Sequence, residues 1–420
     1  METLEKRKAI LVSIAESGKD VDECERSLDE LERLLDTAGG VAYAKVIQVK
    51  ETFDPRTCIG KGKVKEICDL CDSEKIDLVV FDFELSPAQI RNLENDIGDV
   101  TVIDRSMLIL DIFALHAVSG EGKLQVELAQ LRYSAPRLIG KGTELSRQGG
   151  GIGSRGPGES KLETDRRHLK EKISSLEKRI EELEHNRATM RSQRDRSGLP
   201  KIAVVGYTNV GKSTLLNLLT GAGVLSEDKL FATLDSTTRK LLLPCGETVL
   251  ITDTVGFIRK LPHHLIKAFK STLDEVRFSD ILLVISDITD DEMQEHLAVT
   301  EEIISDLEAS DKPIIYVYNK CDALAGENYA SLKEPSVRIS ARTGEGIDEL
   351  LAIIEATVTK EKRKYLLDIP YTEQGIVSTL YSSYAVEGVE YLDSAVRVFV
   401  ILDQKGRGLY KKYIRTDLEV

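Results

Sequence analysis

Gly206-Tyr-Thr-Asn-Val-Gly-Lys-Ser213 has the residue types and spacing of a phosphate-binding loop. Glycines at 206 and 211 let the backbone turn its N–H groups toward an anion. A helix starting at Gly211 points its positive dipole end the same way. Tyr207, Thr208, Asn209 and Val210 complete the cradle; Lys212 can neutralise β/γ-phosphate charge, and the Ser213 hydroxyl, followed by Thr214, can bind Mg²⁺. Asp253-Thr-Val-Gly256, Asn319-Lys-Cys-Asp322 and Ser340-Ala-Arg342 follow in that order. Asp253 ends the apolar run Thr248-Val-Leu-Ile-Thr252, where its carboxylate can face the Mg²⁺ water shell, with Thr254 and Val255 leading to a Gly256 N–H for the γ-phosphate. In the third motif, Asn319 and Lys320 precede Asp322, whose carboxylate can accept from guanine N1–H and the 2-amino group, a pairing adenine does not offer. Ser340, Ala341 and Arg342 can turn backbone N–H groups to the guanine oxygen. Four motifs in this order imply GTP binding and hydrolysis.

Between the first two motifs, Leu230-Phe-Ala-Thr-Leu-Asp-Ser-Thr-Thr238 is a switch candidate. Thr233 is the expected Mg²⁺ and γ-phosphate ligand, with Thr237 and Thr238 as chemical alternatives; Phe231, Ala232, Leu234 and Asp235 flank the nucleotide. Phe257 stands where Ras-like enzymes carry a glutamine that orients the attacking water, and an apolar ring cannot do that job. Catalysis then falls to the P-loop with Lys212 and Asn209, Thr233, the Gly256 backbone and the metal, or to a partner that orders the switches, and slow unaided turnover is expected. Potassium-activated GTPases carry asparagine at the place of Asn209; that residue reads equally as a K⁺ ligand or as a side chain that tolerates the turn.

The elements that must hold these residues imply an α/β, multi-domain chain. Residues 1–104 alternate strand (Ala9–Ile14, Ala44–Val49, Asp77–Phe81, Val100–Ile103) with helix (Val21–Leu35, Lys63–Leu70, Ala88–Leu93). Ile59-Gly-Lys-Gly-Lys63 opens one helix and could hold an anion, although a turn with solvated lysines is the better reading. Residues 105–197 predict two long helices, Ser106–Arg132 and Leu162–Gln193. In the second, Leu162, Leu169, Leu176, Leu183 and Met190 recur every seven residues, an apolar seam suited to an antiparallel hairpin. Its tip, 138–158, holds eight glycines with Lys141, Arg147 and Arg155 among them, a loop able to approach an RNA surface closely. Ser197-Gly-Leu-Pro200 leads into a GTPase domain over 198–360. Residues 361–420 predict a small α/β domain of three strands and a helix.

The 420 residues are 41% hydrophobic, no apolar run approaches the ~18 residues of a membrane span, and no secretory pattern is present. The six cysteines are scattered except Cys68 and Cys71, which lack a second pair, so reduced thiols are expected over a zinc site; a cytoplasmic location and a monomer are expected. Net charge is −14, yet Arg137–Leu199 holds 15 Lys/Arg against 10 Asp/Glu. That stretch is +5, enough for a local phosphate-binding patch on an acidic protein.

The four motifs, Phe231-Ala-Thr-Leu-Asp235, and Gly149-Gly-Gly-Ile-Gly-Ser-Arg-Gly-Pro-Gly-Glu-Ser-Lys-Leu-Glu-Thr-Asp-Arg-Arg167 together resemble the HflX family within the Obg-related translation GTPases. Ser160 and Lys161 replace the Thr and Gln usual there. The resemblance implies ribosome association, with the tip on ribosomal RNA of the large subunit, GTP and GDP as ligands, and rescue or splitting of stalled ribosomes under stress. A signalling GTPase with a protein effector and an ATP-driven RNA remodeller using residues 1–104 are the other readings.

Overall fold

The structure, a computed structural model, describes residues 7–138, 157–196, 199–221, 230–231, 237–260, 270–324, 332–360, 363–402 and 404–418. The chain divides into two compact units: Met1–Leu183 with Glu227–Asp235 and Ile258–Leu273, and Glu184–Ser226 with Ser236–Phe257 and Asp274–Val420.

In the first unit, β1 (Lys8–Ala15), β2 (Val41–Val49), β3 (Leu78–Phe81) and β4 (Thr101–Asp104) form a parallel sheet in the order β2-β1-β3-β4. β1 is buried from its second residue to its last, as a central parallel strand covered on both faces should be. α1 (Val21–Thr37) turns Cys24, Leu28, Leu31 and Leu35 inward at helical spacing. α2 (Lys61–Glu74) buries Val64, Ile67 and Cys71, and burial pushes the Cys71 thiol up to about 11. The Gly60 N–H at the start of α2 donates to Gln48 Oε1 at 2.8 Å, so part of the anion-binding potential of this helix start is already satisfied within the fold. α3 (Pro87–Ile97) begins with proline after a Ser86/Gln89 capping box.

Instead of one helix over 106–132 there are two, α4 (Arg105–His116) and α5 (Gly120–Leu138). Ala117 turns extended, and Ser119 Oγ accepts from the Gly122 N–H at 2.8 Å, so a serine cap and a glycine restart the helix in a new direction. On α6 (Pro157–Arg196) the seam residues Leu169 and Leu183 are half-buried and Leu176 is buried. Lys172 pairs with Glu127 at 2.7 Å and Arg132 with Glu177 at 2.7 Å. The partners' numbers rise together on both helices, so these pairs do not give the antiparallel register expected of a hairpin. The tip residues Lys141, Arg147 and Arg155 lie outside the described residues.

The second unit holds two sheets. β5 (Lys201–Gly206), β6 (Thr237–Leu242), β7 (Thr248–Asp253), β8 (Ile281–Asp287), β9 (Ile314–Asn319) and β10 (Ser336–Arg338) run in the order β10-β9-β8-β5-β7-β6, parallel except for β6. The helices along this part of the chain are α7 (Lys212–Thr220), α8 (Lys270–Arg277), α9 (Met293–Asp306) and α10 (Ile347–Lys360). The C-terminal sheet is antiparallel, with β11 (Arg363–Pro370), β12 (Ala385–Tyr391), β13 (Ala395–Leu402) and β14 (Ile414–Leu418) ordered β12-β13-β11-β14, plus α11 (Gly375–Ser383) and α12 (Gln404–Tyr410). β11 and β13 alternate buried and half-buried residues, sending Tyr365, Leu367, Ile369, Val396, Val398 and Val400 into one core. β14 and α12 were not expected: Ile414-Arg-Thr-Asp-Leu418 has too few apolar residues to announce a strand.

Candidate functional site

β5 delivers the chain to Gly206, and the loop turns through Asn209 at φ 61° to Gly211 at φ +95°, where α7 starts. Asparagine tolerates the left-handed region. At Gly211 tolerance is not enough, because a Cβ there would sit 2.3 Å from Asn319 Nδ2. That Asn319 amide donates to Val210 O at 2.7 Å, while Asn319 Oδ1 accepts from the Ala341 N–H at 2.9 Å. One buried side chain thus joins the phosphate loop to the third and fourth motifs.

Lys212 is buried, its Nζ donating to Gly206 O (3.1 Å) and Tyr207 O (2.6 Å), and burial pushes its ammonium down to about 8. Asp253 at the end of β7 is fully buried, and burial raises its carboxyl above the usual range. Asp253 Oδ2 accepts from Ser213 Oγ at 2.6 Å, whereas Oδ1 has no hydrogen-bond partner among the described residues. A hydroxyl beside a buried carboxylate with an uncommitted oxygen is a hard, all-oxygen donor set that fits Mg²⁺. The Thr208 hydroxyl is likewise buried without a partner among the described residues. Thr214 stands one residue further along α7, in its first turn.

Gly256 lies so close to the loop that a Cβ would come within 2.8 Å of Thr208 Cγ2 and 3.0 Å of Lys212 Nζ. The next residue is latched to the loop by its backbone: the Phe257 N–H donates to Gly206 O (3.0 Å) and the Thr208 N–H to Phe257 O (2.8 Å). The Phe257 ring is 1% exposed. Thr254 Oγ1 donates to Val204 O at 2.7 Å and Val255 is buried, so both side chains serve the fold. Lys320, at φ 69°, pairs with Asp287 at 2.6 Å; Asp322 and Arg342 are exposed; Ser340 is buried and its Oγ accepts from the Thr343 N–H. Thr237 and Thr238 belong to β6, and Thr238 Oγ1 meets Thr252 Oγ1 at 2.9 Å. Ala232, Thr233, Leu234 and Asp235 lie outside the described residues. Phe231 is buried against Phe113 in the first unit, its ring centroid 4.8 Å away.

No motif pointed to His296 on α9. Its ring stacks on Tyr207 at 3.8 Å and 15°, with Nδ1 2.9 Å from Asp290 Oδ2. Aromatic pairs contribute about 1 kcal/mol beyond burial, so His296→Ala should weaken GDP affinity roughly five-fold, read by fluorescent-GDP titration, and His296→Phe should keep it. Equal losses in both would assign the effect to the imidazole and its carboxylate partner instead of the stack.

Residues 25–114, 116–194 and 201–320 match family models described as GTP-binding GTPase N-terminal, GTP-binding GTPase Middle Region and 50S ribosome-binding GTPase. A GTPase HflX of Lacrimispora saccharolytica is 50% identical over 391 residues, 92% of each chain. The chain belongs to the HflX family of GTPases. A GTPase HflX of Escherichia coli is 42% identical over 386 residues, 90% of this chain and 89% of that one. A solved GTP-binding protein of Sulfolobus solfataricus in complex with GDP is similar at 26% identity, covering 84% and 99% of the two chains with a TM-score of 0.44. This HflX-family chain is a GTPase, hydrolysing GTP to GDP and phosphate. Among the described residues no helix is long and apolar enough to cross a membrane.

Proposed function

We propose that this HflX-family GTPase is a GTP-driven switch that binds the large ribosomal subunit and acts, as a cytoplasmic monomer, in rescue or splitting of stalled ribosomes under stress. The observation that carries the reading is the assembled phosphate loop, Lys212, Ser213 and Asp253 on one side and Asn319 on the other, inside the stretch that matches a 50S ribosome-binding GTPase. Lys212 exchanges two backbone carbonyls for β/γ-phosphate oxygens, and the anion favours its charged form against the cost of burial. Ser213 and Thr233 would hold Mg²⁺, with Asp253 acting through water, and when bound the ion would supply neutralisation of phosphate charge. The Gly256 N–H meets the γ-phosphate and Asp322 reads guanine. Water receives no side-chain help from position 257, which supports slow unaided turnover and a need for the partner.

GTP would order the Thr233 and Asp253 segments and let the tip, with Lys141, Arg147 and Arg155, engage ribosomal RNA, and hydrolysis would release it. The test is GTP hydrolysis with and without purified large subunits, alongside pelleting, for the wild type and for a chain whose residues 141–158 are a neutral Gly/Ser linker. Stimulation and GTP-dependent pelleting that vanish with the tip are expected. Their absence in the wild type would leave a GTPase with a protein effector. Running the assay in KCl and in NaCl decides whether Asn209 holds an activating K⁺, since equal rates would remove that ion.

A further inference from the structure

Among the described residues, Thr208 Oγ1 is the one buried side-chain hydroxyl with no hydrogen-bond partner, and the residue is 5% exposed. A buried hydroxyl left unbonded is unfavourable, so one kept inside a phosphate loop points to a partner that arrives with the ligand. The rest of Thr208 is fixed. Its N–H donates to Phe257 O at 2.8 Å, and the Phe257 N–H donates to Gly206 O at 3.0 Å. A Cβ on Gly256 would stand 2.8 Å from Thr208 Cγ2, 3.0 Å from Thr208 Cα and 3.0 Å from Lys212 Nζ. The Thr208 side chain, the Lys212 ammonium and the Gly256 backbone thus surround one point, and the last two are the groups suited to the transferred phosphate. Phe257, 1% exposed, offers water nothing there. All four residues belong to the second compact unit.

We propose that Thr208 is a catalytic residue of GTP hydrolysis, its Oγ1 accepting a hydrogen bond from the attacking water while its O–H donates to a γ-phosphate oxygen. Cγ2 and Oγ1 share one carbon, so a single staggered turn of χ1 brings the hydroxyl to the side of Gly256. A threonine hydroxyl donates one hydrogen bond and has two lone pairs to accept others, so it holds both partners at once. The water oxygen bonds to the γ-phosphorus as the bond from that phosphorus to the β–γ bridging oxygen breaks. GDP keeps the bridging oxygen, and the proton that the water gives up passes to the released phosphate. Thr208 neither gains nor loses a proton; it holds the water in line, the task that Phe257 leaves undone. The inference rests on the placement of the γ-phosphate at Gly256 proposed above and is independent of the ribosome as partner.

The test uses the full-length chain with Thr208→Val, Thr208→Ser and Gly256→Ala, measuring kcat, KM for GTP, GDP affinity and thermal unfolding without nucleotide. Valine keeps a methyl against Gly256 and replaces only the hydroxyl, so the melting temperature should be unchanged or raised, the reverse of what a structural hydroxyl gives. Its kcat should fall roughly ten-fold or more while GDP affinity stays within about two-fold, the signature of a group that acts in the transition state. Thr208→Ser keeps the hydroxyl and should recover most of the rate. Gly256→Ala, whose methyl crowds Thr208 and Lys212, should also lose hydrolysis. A wild-type kcat in Thr208→Val beside a slow Gly256→Ala would overturn the role of the hydroxyl alone; wild-type rates in both would overturn the γ-phosphate placement with it. A lowered melting temperature in Thr208→Val, or equal rate losses in the valine and serine variants, would make Thr208 a packing residue and overturn the assignment.

Discussion

Gly211→Ala is expected to reduce GTP and GDP affinity by roughly two orders of magnitude or more, with circular dichroism close to wild type and a lowered melting temperature. Two effects add at this position. At φ +95° an alanine is strained, and its Cβ would stand 2.3 Å from Asn319 Nδ2. Asn319 cannot step aside cheaply, since its amide is bonded to Val210 O and the Ala341 N–H. Either the phosphate loop opens or the bridge to the third and fourth motifs breaks, and both outcomes should damage nucleotide binding. Titration with a fluorescent nucleotide reads the loss. Affinity within about three-fold of wild type would mean that the loop re-forms around the methyl group and that Asn319 is not a rigid strut.

Asp322→Asn should turn specificity from guanine to xanthine nucleotides. In the function proposed above the carboxylate accepts two N–H donors of guanine in charge-assisted bonds, whereas an amide would face one of them with its own N–H and fit xanthine, where an oxygen replaces the 2-amino group. Leaving a base donor opposed costs on the order of 3 kcal/mol, so GTP affinity should fall roughly 100-fold while xanthosine triphosphate gains by a similar factor. Competition of each triphosphate against labelled GDP measures both. The residue is exposed and lies beyond β9, so the change should leave stability untouched. Unaltered GTP affinity would remove Asp322 from base recognition.

Much of the fold could be read from local pattern. The four strands and three helices of the N-terminal sheet fall within a few residues of the hydrophobic runs that announce them, because buried parallel strands are apolar throughout and their helices show one apolar face. Ser213 meets Asp253, and Asn319 meets the loop at Val210 beside Gly211. What local pattern lacked was tertiary. The break at Ala117–Ser119 interrupts a run that reads as one helix, since a serine cap costs little when α4 and α5 can each pack alone. β14 is short and polar, and pairing with β11 makes it a strand. His296 belongs to no motif, and its stacking on Tyr207 joins residues 89 positions apart in the chain. Lys260 carries no signal either; its partner Asp82 lies 178 residues earlier.

The burial of Phe257 also constrains how relatives of this chain can diverge. A glutamine at 257 would put an amide into a site that is 1% exposed, at a cost of about 1–3 kcal/mol for polar atoms left without partners. Acceptable replacements are apolar side chains of similar volume, none of which can touch water at the γ-phosphate. Natural variation in the lifetime of the GTP state must therefore accumulate in neighbouring segments, and position 257 itself should drift only among residues that fill the same space.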